Sequence, residues 1–138
     1  KEEEKPEAKE DRFRGLFAVL SEILSDHVKE VRASARLVDS AACLVIDEAD
    51  LSPQLEKMMK LMGQQMPKTK RILEINTNHA VAAGLLKHFE KDPSKDANTL
   101  FAETLYGMAL LAEGGEVDNP AALSKNIGML LAQALDQS

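Results

Sequence analysis

Apolar residues recur along this chain with two different periods, and the switches between them lay out its elements. From Phe13 the spacing is helical: Phe13, Leu16, Phe17, Leu20, Ile23 and Leu24 share one face, running to about His27 or Val28. The period then drops to two. Val31, Ala33, Ala35 and Leu37 alternate with Arg32, Ser34 and Arg36, as in a strand buried on one side. Asp39-Ser40 can turn the chain into Ala41-Ala42-Cys43-Leu44-Val45-Ile46, a continuous apolar strand expected to be the more central. The spacing predicts that these two strands pair as a hairpin.

A helical period returns at Leu51, Leu55, Met58, Met59, Met62 and Met66, which place four of the chain's six methionines on one stripe. Ser52 is the expected N-cap, Pro53 the first helical residue, and Gly63 or Pro67 the end. Such a stripe has two fates. It can dock as an ordinary core helix, or it can offer an unbranched, polarizable surface that adapts to partners of many shapes.

Residues 72–75 form a third short strand, and Asn76 can cap a helix through about Phe89 with Val81, Leu85 and Phe89 inward. Residues 90–96 carry turn chemistry and predict an exposed loop. A helix from about Ala97 to Glu113 carries Leu100, Phe101, Leu105, Met108, Leu111 and Ala112 on one broad face, and Tyr106 and Leu110 on another. It stops at Gly114-Gly115. Asn119-Pro120 opens a last helix striped with Leu123, Ile127, Leu130, Leu131 and Ala134. The order α-β-β-α-β-α-α-α predicts an α+β domain: a small three-stranded sheet covered by helices, then a helical hairpin. Two apolar faces on one hairpin fit burial within a monomer, or pairing of two hairpins into a four-helix bundle across a two-fold axis.

Composition narrows the functions this chain can serve. Its 138 residues suffice for one domain with a real core. Residues 1–12 are a mixed-charge run broken by Pro6, expected to be a linker or frayed end, which leaves 13–138 as the domain. The chain opens on Lys1 rather than Met, as expected of a piece of a longer protein. A net charge of −6 argues against a nucleic-acid surface. No apolar run approaches the ~20 residues of a membrane span. The single Cys43 excludes an internal disulfide and fits a reducing, cytoplasmic compartment.

Motifs that suggest catalysis lack their context. Asp47-Glu48-Ala49-Asp50 spells the acidic motif of a helicase family, and a nucleotide-dependent enzyme built on it is one reading. That chemistry also needs a phosphate-cradling Gly-x-x-x-x-Gly-Lys-Ser/Thr loop, which the sequence lacks. His27, His79 and His88 have no zinc-ligand spacing, and Cys43 sits in an apolar strand where a thiol is ordinarily inert. Catalytic, metal and cofactor residues are therefore all expected to be absent. A monomeric adaptor whose methionine helix binds one dedicated peptide is a further reading.

Ile72-Leu73-Glu74-Ile75-Asn76 followed by His79, after a methionine-bearing helix and Gly63-Gln64-Gln65-Met66-Pro67, resembles the C-terminal domain of the ninety-kilodalton heat-shock chaperones, their bacterial branch in particular. The resemblance extends to Val28-Lys29-Glu30-Val31-Arg32, Arg36-Leu37, Ala41-Ala42, Leu110-Leu111-Ala112-Glu113-Gly114 and Asp118-Asn119-Pro120, and so spans roughly Phe13 to the end. Thr77 stands where the family usually has Pro. The chain closes on Ala134-Leu135-Asp136-Gln137-Ser138, without the acidic peptide that docks tetratricopeptide co-chaperones in cytosolic eukaryotic members, so the resemblance implies a bacterial or organellar source. It implies a homodimerisation module in an ATP-driven clamp chaperone, with ATP and magnesium handled by another domain. Carried onto this chain, dimerisation falls to Leu105, Met108, Leu111, Leu123, Ile127, Leu130 and Leu131. Contact with unfolded client proteins falls to Leu55, Met58, Met59 and Met62.

Overall fold

The computed structural model describes residues 6–34, 39–46, 57–58, 60–63 and 70–136. Helix α1 (Pro6–Ile23) leads into strand β1 (Val28–Ala33), followed by β2 (Ala42–Val45), β3 (Arg71–Ile75), and helices α2 (Ala80–Lys91), α3 (Lys95–Ala112) and α4 (Pro120–Asp136). A short helical run at 57, 58, 60 and 61 lies between β2 and β3. The class is α+β, with one three-stranded mixed sheet and four long helices among the described residues.

Helix α1 starts seven residues before Phe13, inside the expected frayed end. Proline is preformed for a first helical turn, and the Glu, Ala, Lys and Arg that follow are good helix formers. Arg12 reaches Glu90 of α2 at 3.2 Å, so part of the charge run is used in packing. The apolar face of α1 behaves as its spacing dictates: Phe13, Leu16, Leu20 and Leu24 are buried.

Strand order corrects the expected hairpin. The sheet runs β1-β3-β2, with β3 parallel to β1 and antiparallel to β2. β3 is central, and Ile72, Leu73, Glu74 and Ile75 are all buried, as on a strand covered on both faces. β2, read as the more central strand, takes an outer position because its apolar run is matched by a more deeply buried one. β1 also departs from strict alternation. Val28 and Val31 are buried, and the register with β3 shifts between them. Residues 35–38, which carry Ala35 and Leu37, lie outside the described residues.

The core gathers α1, Val28 and Val31 of β1, Leu73 and Ile75 of β3, Ala82, Leu85 and Leu86 of α2, and Ala102, Leu105 and Ala109 of α3. Val81, expected inward, is exposed, because α2 turns Ala82, Leu85 and Leu86 to the core instead. The connection from α2 to α3 is only Asp92–Ser94, shorter than the expected loop, and hydrogen bonds hold it closed. The Ser94 hydroxyl oxygen accepts from the Ala97 amide at 3.3 Å, and the fully buried Asn98 amide donates to the carbonyls of Asp92 and Ser94 at 3.0 and 2.7 Å.

Candidate functional site

The region around β3 is held by polar contacts between strands and loops. Glu74 is buried opposite Arg32 in the parallel register, and its Oε2 accepts from Arg32 Nε and Nη2 at 2.9 and 2.8 Å. A buried carboxylate is tolerable only with such a partner. Asn76, expected to cap α2, instead fastens the β3 exit. Its amide donates to the Ser40 carbonyl at 3.2 Å, its Oδ1 accepts from the Asn78 amide at 3.0 Å, and its N–H bonds Ala41 O at 2.8 Å. The cap is His79, whose Nδ1 accepts from the Val81 amide at 3.1 Å.

Helices α3 and α4 form the terminal hairpin. Glu113 caps α3, Gly114 adopts φ 80°, and the amides of Gly114 and Gly115 bond the carbonyls of Leu111 and Leu110 at 3.1 and 2.9 Å. This closes the helix in a Schellman turn. Asn119 caps α4 through its Oδ1, which accepts from the Ala122 amide at 3.0 Å. Arg71, at the start of β3, forms a two-toothed ion pair with Glu113 and so ties the turn to the sheet.

Helix α3 is flanked on opposite sides. Ala102, Leu105 and Ala109 face the core, and Gly107, about half a turn round the helix, is buried beneath Leu123 of α4. The side of α3 around Gly107 is thus taken by its own hairpin partner, while Tyr106, expected on a second apolar face, stacks on His27 of the same protomer. This corrects the placement of Leu105 at an interface: it is 3% exposed, in the protomer core. Leu123 and Leu130 are half-buried within the protomer. Met108, Leu111, Ile127 and Leu131 are exposed, with Leu131 at 56%. Leu135, at 70%, extends the series Ile127, Leu131 at i+4 spacing. The sequence reading passed over it, although that spacing marks it. Helix α4 has no buried residue at all.

The second surface is the methionine-bearing segment. Met58 and Met62 are exposed, and Met62 donates its amide to Met58 O at 3.0 Å, keeping both on one helical face. Leu61, between them in sequence and 87% exposed, joins that face at i+3 from Met58. It too was missed, because the stripe was traced through the methionines. The amide of Gly63 bonds Lys60 O and closes the run at one of the two expected stops. Leu55, Met59, the expected cap at Ser52-Pro53 and the acidic run 47–50 lie outside the described residues.

Among the described residues no three His, Cys, Asp or Glu side chains converge on a point that could hold a metal ion. Among the described residues no helix is long and apolar enough to cross a membrane. Both surfaces expose apolar side chains.

Comparison with known proteins gives these surfaces a context. The family described as Hsp90 protein matches residues 1–138. Chaperone protein HtpG of Frankia casuarinae is 48% identical, over 97% of this chain and 21% of its own length. The protein of the same name from Salinispora arenicola is 46% identical over 89% of the chain and 19% of its own length. That of Rhodococcus jostii is 44% identical over 96% and 21%. The chain spans about a fifth of the length of these relatives.

Proposed function

This chain belongs to the Hsp90 protein family, and from that premise we propose that it is the homodimerisation and client-contact unit of an ATP-dependent molecular chaperone. The carrying observation is the hairpin's uncovered apolar flank: Met108 and Leu111 on α3, with Ile127, Leu131 and Leu135 on α4. A helix apolar on most of its circumference, with no buried residue, is the pattern of an element whose partner is missing. A second copy supplies the same flank. In a two-fold arrangement every contact occurs twice, and the two hairpins become a four-helix bundle. Fully burying one Leu contributes about 1.5–3 kcal/mol, and these five side chains, 38–70% exposed, have part of that still to gain by pairing.

The exposed Met58, Leu61 and Met62 supply the client surface in this reading. ATP and magnesium chemistry belong to another domain of the whole chaperone, and this unit contributes no catalytic residue.

The test is molar mass at sedimentation equilibrium. The 15.1 kDa chain should sediment as a dimer at micromolar concentration. Leu131→Glu with Leu135→Glu should give a folded monomer, because both side chains are solvated in the separate protomer and would meet like charge at the interface. A wild-type monomer at high micromolar concentration would leave a monomeric adaptor as the better reading.

A further inference from the structure

We infer that Gly107 is the positioning residue that sets how α4 is presented to the partner subunit, an inference resting on the dimer reading above. A Cβ built on Gly107 would lie 2.6, 3.0 and 3.3 Å from Cδ1, Cδ2 and Cγ of Leu123. The first distance is closer than carbon atoms pack, so with a Cβ at position 107 the Leu123 side chain leaves its present seat on the α3 backbone, by a new rotamer or by carrying α4 with it. Glycine inside a helix weakens it. Here the seating of Leu123 against α3 is what that weakening secures.

The seat acts as a pivot. Leu123 lies in the first turn of α4, just after the Asn119 cap and Pro120. None of the residues of α4 is buried, and Asn126 meets Glu103 of α3 at 3.5 Å. Leu131 and Leu135 follow Leu123 by about 12 and 18 Å along the helix axis at 1.5 Å per residue. A small tilt of α4 at the seat therefore grows towards the residues that would meet the partner. Two-fold symmetry imposes the same error on both subunits.

Sedimentation equilibrium on the wild type, Gly107→Ala, Leu123→Ala and the double variant tests this, with amide hydrogen exchange in α1 and β3 reporting the protomer core. Gly107→Ala should raise the dimer Kd about tenfold or more, equivalent to about 1.4 kcal/mol, while core protection is kept. On the Leu123→Ala background, where the obstructing side chain is gone, the same change should move Kd by no more than about twofold, the scatter of independent substitutions. An unchanged Kd for Gly107→Ala, beside a wild-type dimer, overturns the inference and leaves the dimer reading standing. A wild-type monomer overturns the dimer reading itself. Loss of core protection in step with dimer loss makes Gly107 a general packing residue and also overturns the inference. Should Gly107→Ala fail to fold, Leu123→Ala alone decides: emptying the seat must weaken the dimer with the core intact, and an unchanged Kd overturns the pivot.

Discussion

Tyr106 is the chain's one tyrosine, and there is no tryptophan, so its ionisation can be followed without interference. It stacks on His27 with ring centroids 5.0 Å apart, and burial raises its pKa above the ordinary value, with Arg71 pulling the other way. Because the folded chain holds this proton more tightly, the associated stability is intact below about pH 10, where an unfolded tyrosine is still protonated. It is lost as pH rises from there through the folded value. A near-ultraviolet titration should therefore show a phenolate midpoint above that of the urea-unfolded chain. Tyr106→Phe should flatten the loss of stability over the same alkaline window. A folded midpoint at or below the unfolded one would contradict the burial described here. At this scale the sequence was only partly readable. His79 was rightly read as structural and Cys43 as part of a strand, but the Arg32–Glu74 pair joins residues 42 apart and depends on a register that no local pattern encodes.

The turn between the last two helices was legible, because its chemistry is local, whereas the starts of α1, α2 and α3 were not placed by their caps. Asn119-Pro120 and Gly114-Gly115 sit where the cap rules put them. Gly114→Ala should cost about 1–2 kcal/mol, the penalty of the left-handed region for a residue with a Cβ. Gly84→Ala, on an open face of α2 with nothing within 4 Å of the new Cβ, should be neutral or stabilise by about 0.5–1 kcal/mol. The Gly114→Ala melt should fall while the Gly84→Ala melt holds or rises; equal shifts would undercut the role given to Gly114. Strand positions were less legible. An apolar run shows that a strand is buried but not which neighbour buries it, so β2 was read as central when β3 is. Helix α3 shows the same limit from another side: its apolar positions were visible, but not that Gly107 would receive Leu123.

For the whole molecule, the division between packing and binding is drawn by exposure. Met58→Ser with Met62→Ser should lower stability by less than about 1 kcal/mol, since both side chains already stand in water. Under the proposed function, binding of an unfolded polypeptide should weaken clearly, because the removed apolar area is the surface proposed to meet clients. Melting curves alongside binding of a permanently unfolded protein separate the outcomes. A large melting shift with unchanged binding would return these methionines to the core. The α+β class and the order of elements were readable from periodicity, since each period is a local property. The allocation of apolar faces between core, hairpin and open surface was not, since it depends on which elements meet.

The central place of β3 also bears on how the chain is made. Both outer strands precede it in sequence, and neither pairs with the other. A growing chain that has passed Val45 thus carries two strands whose backbone groups have no template. The sheet can close only after the intervening methionine-bearing segment and residues 71–75 have been synthesised. Until then the nascent chain carries unpaired strand edges alongside the apolar side chains of α1, which is the state most exposed to aggregation during synthesis. A unit proposed to handle unfolded proteins thus passes through a stage in which it is itself an unfolded protein with sticky edges.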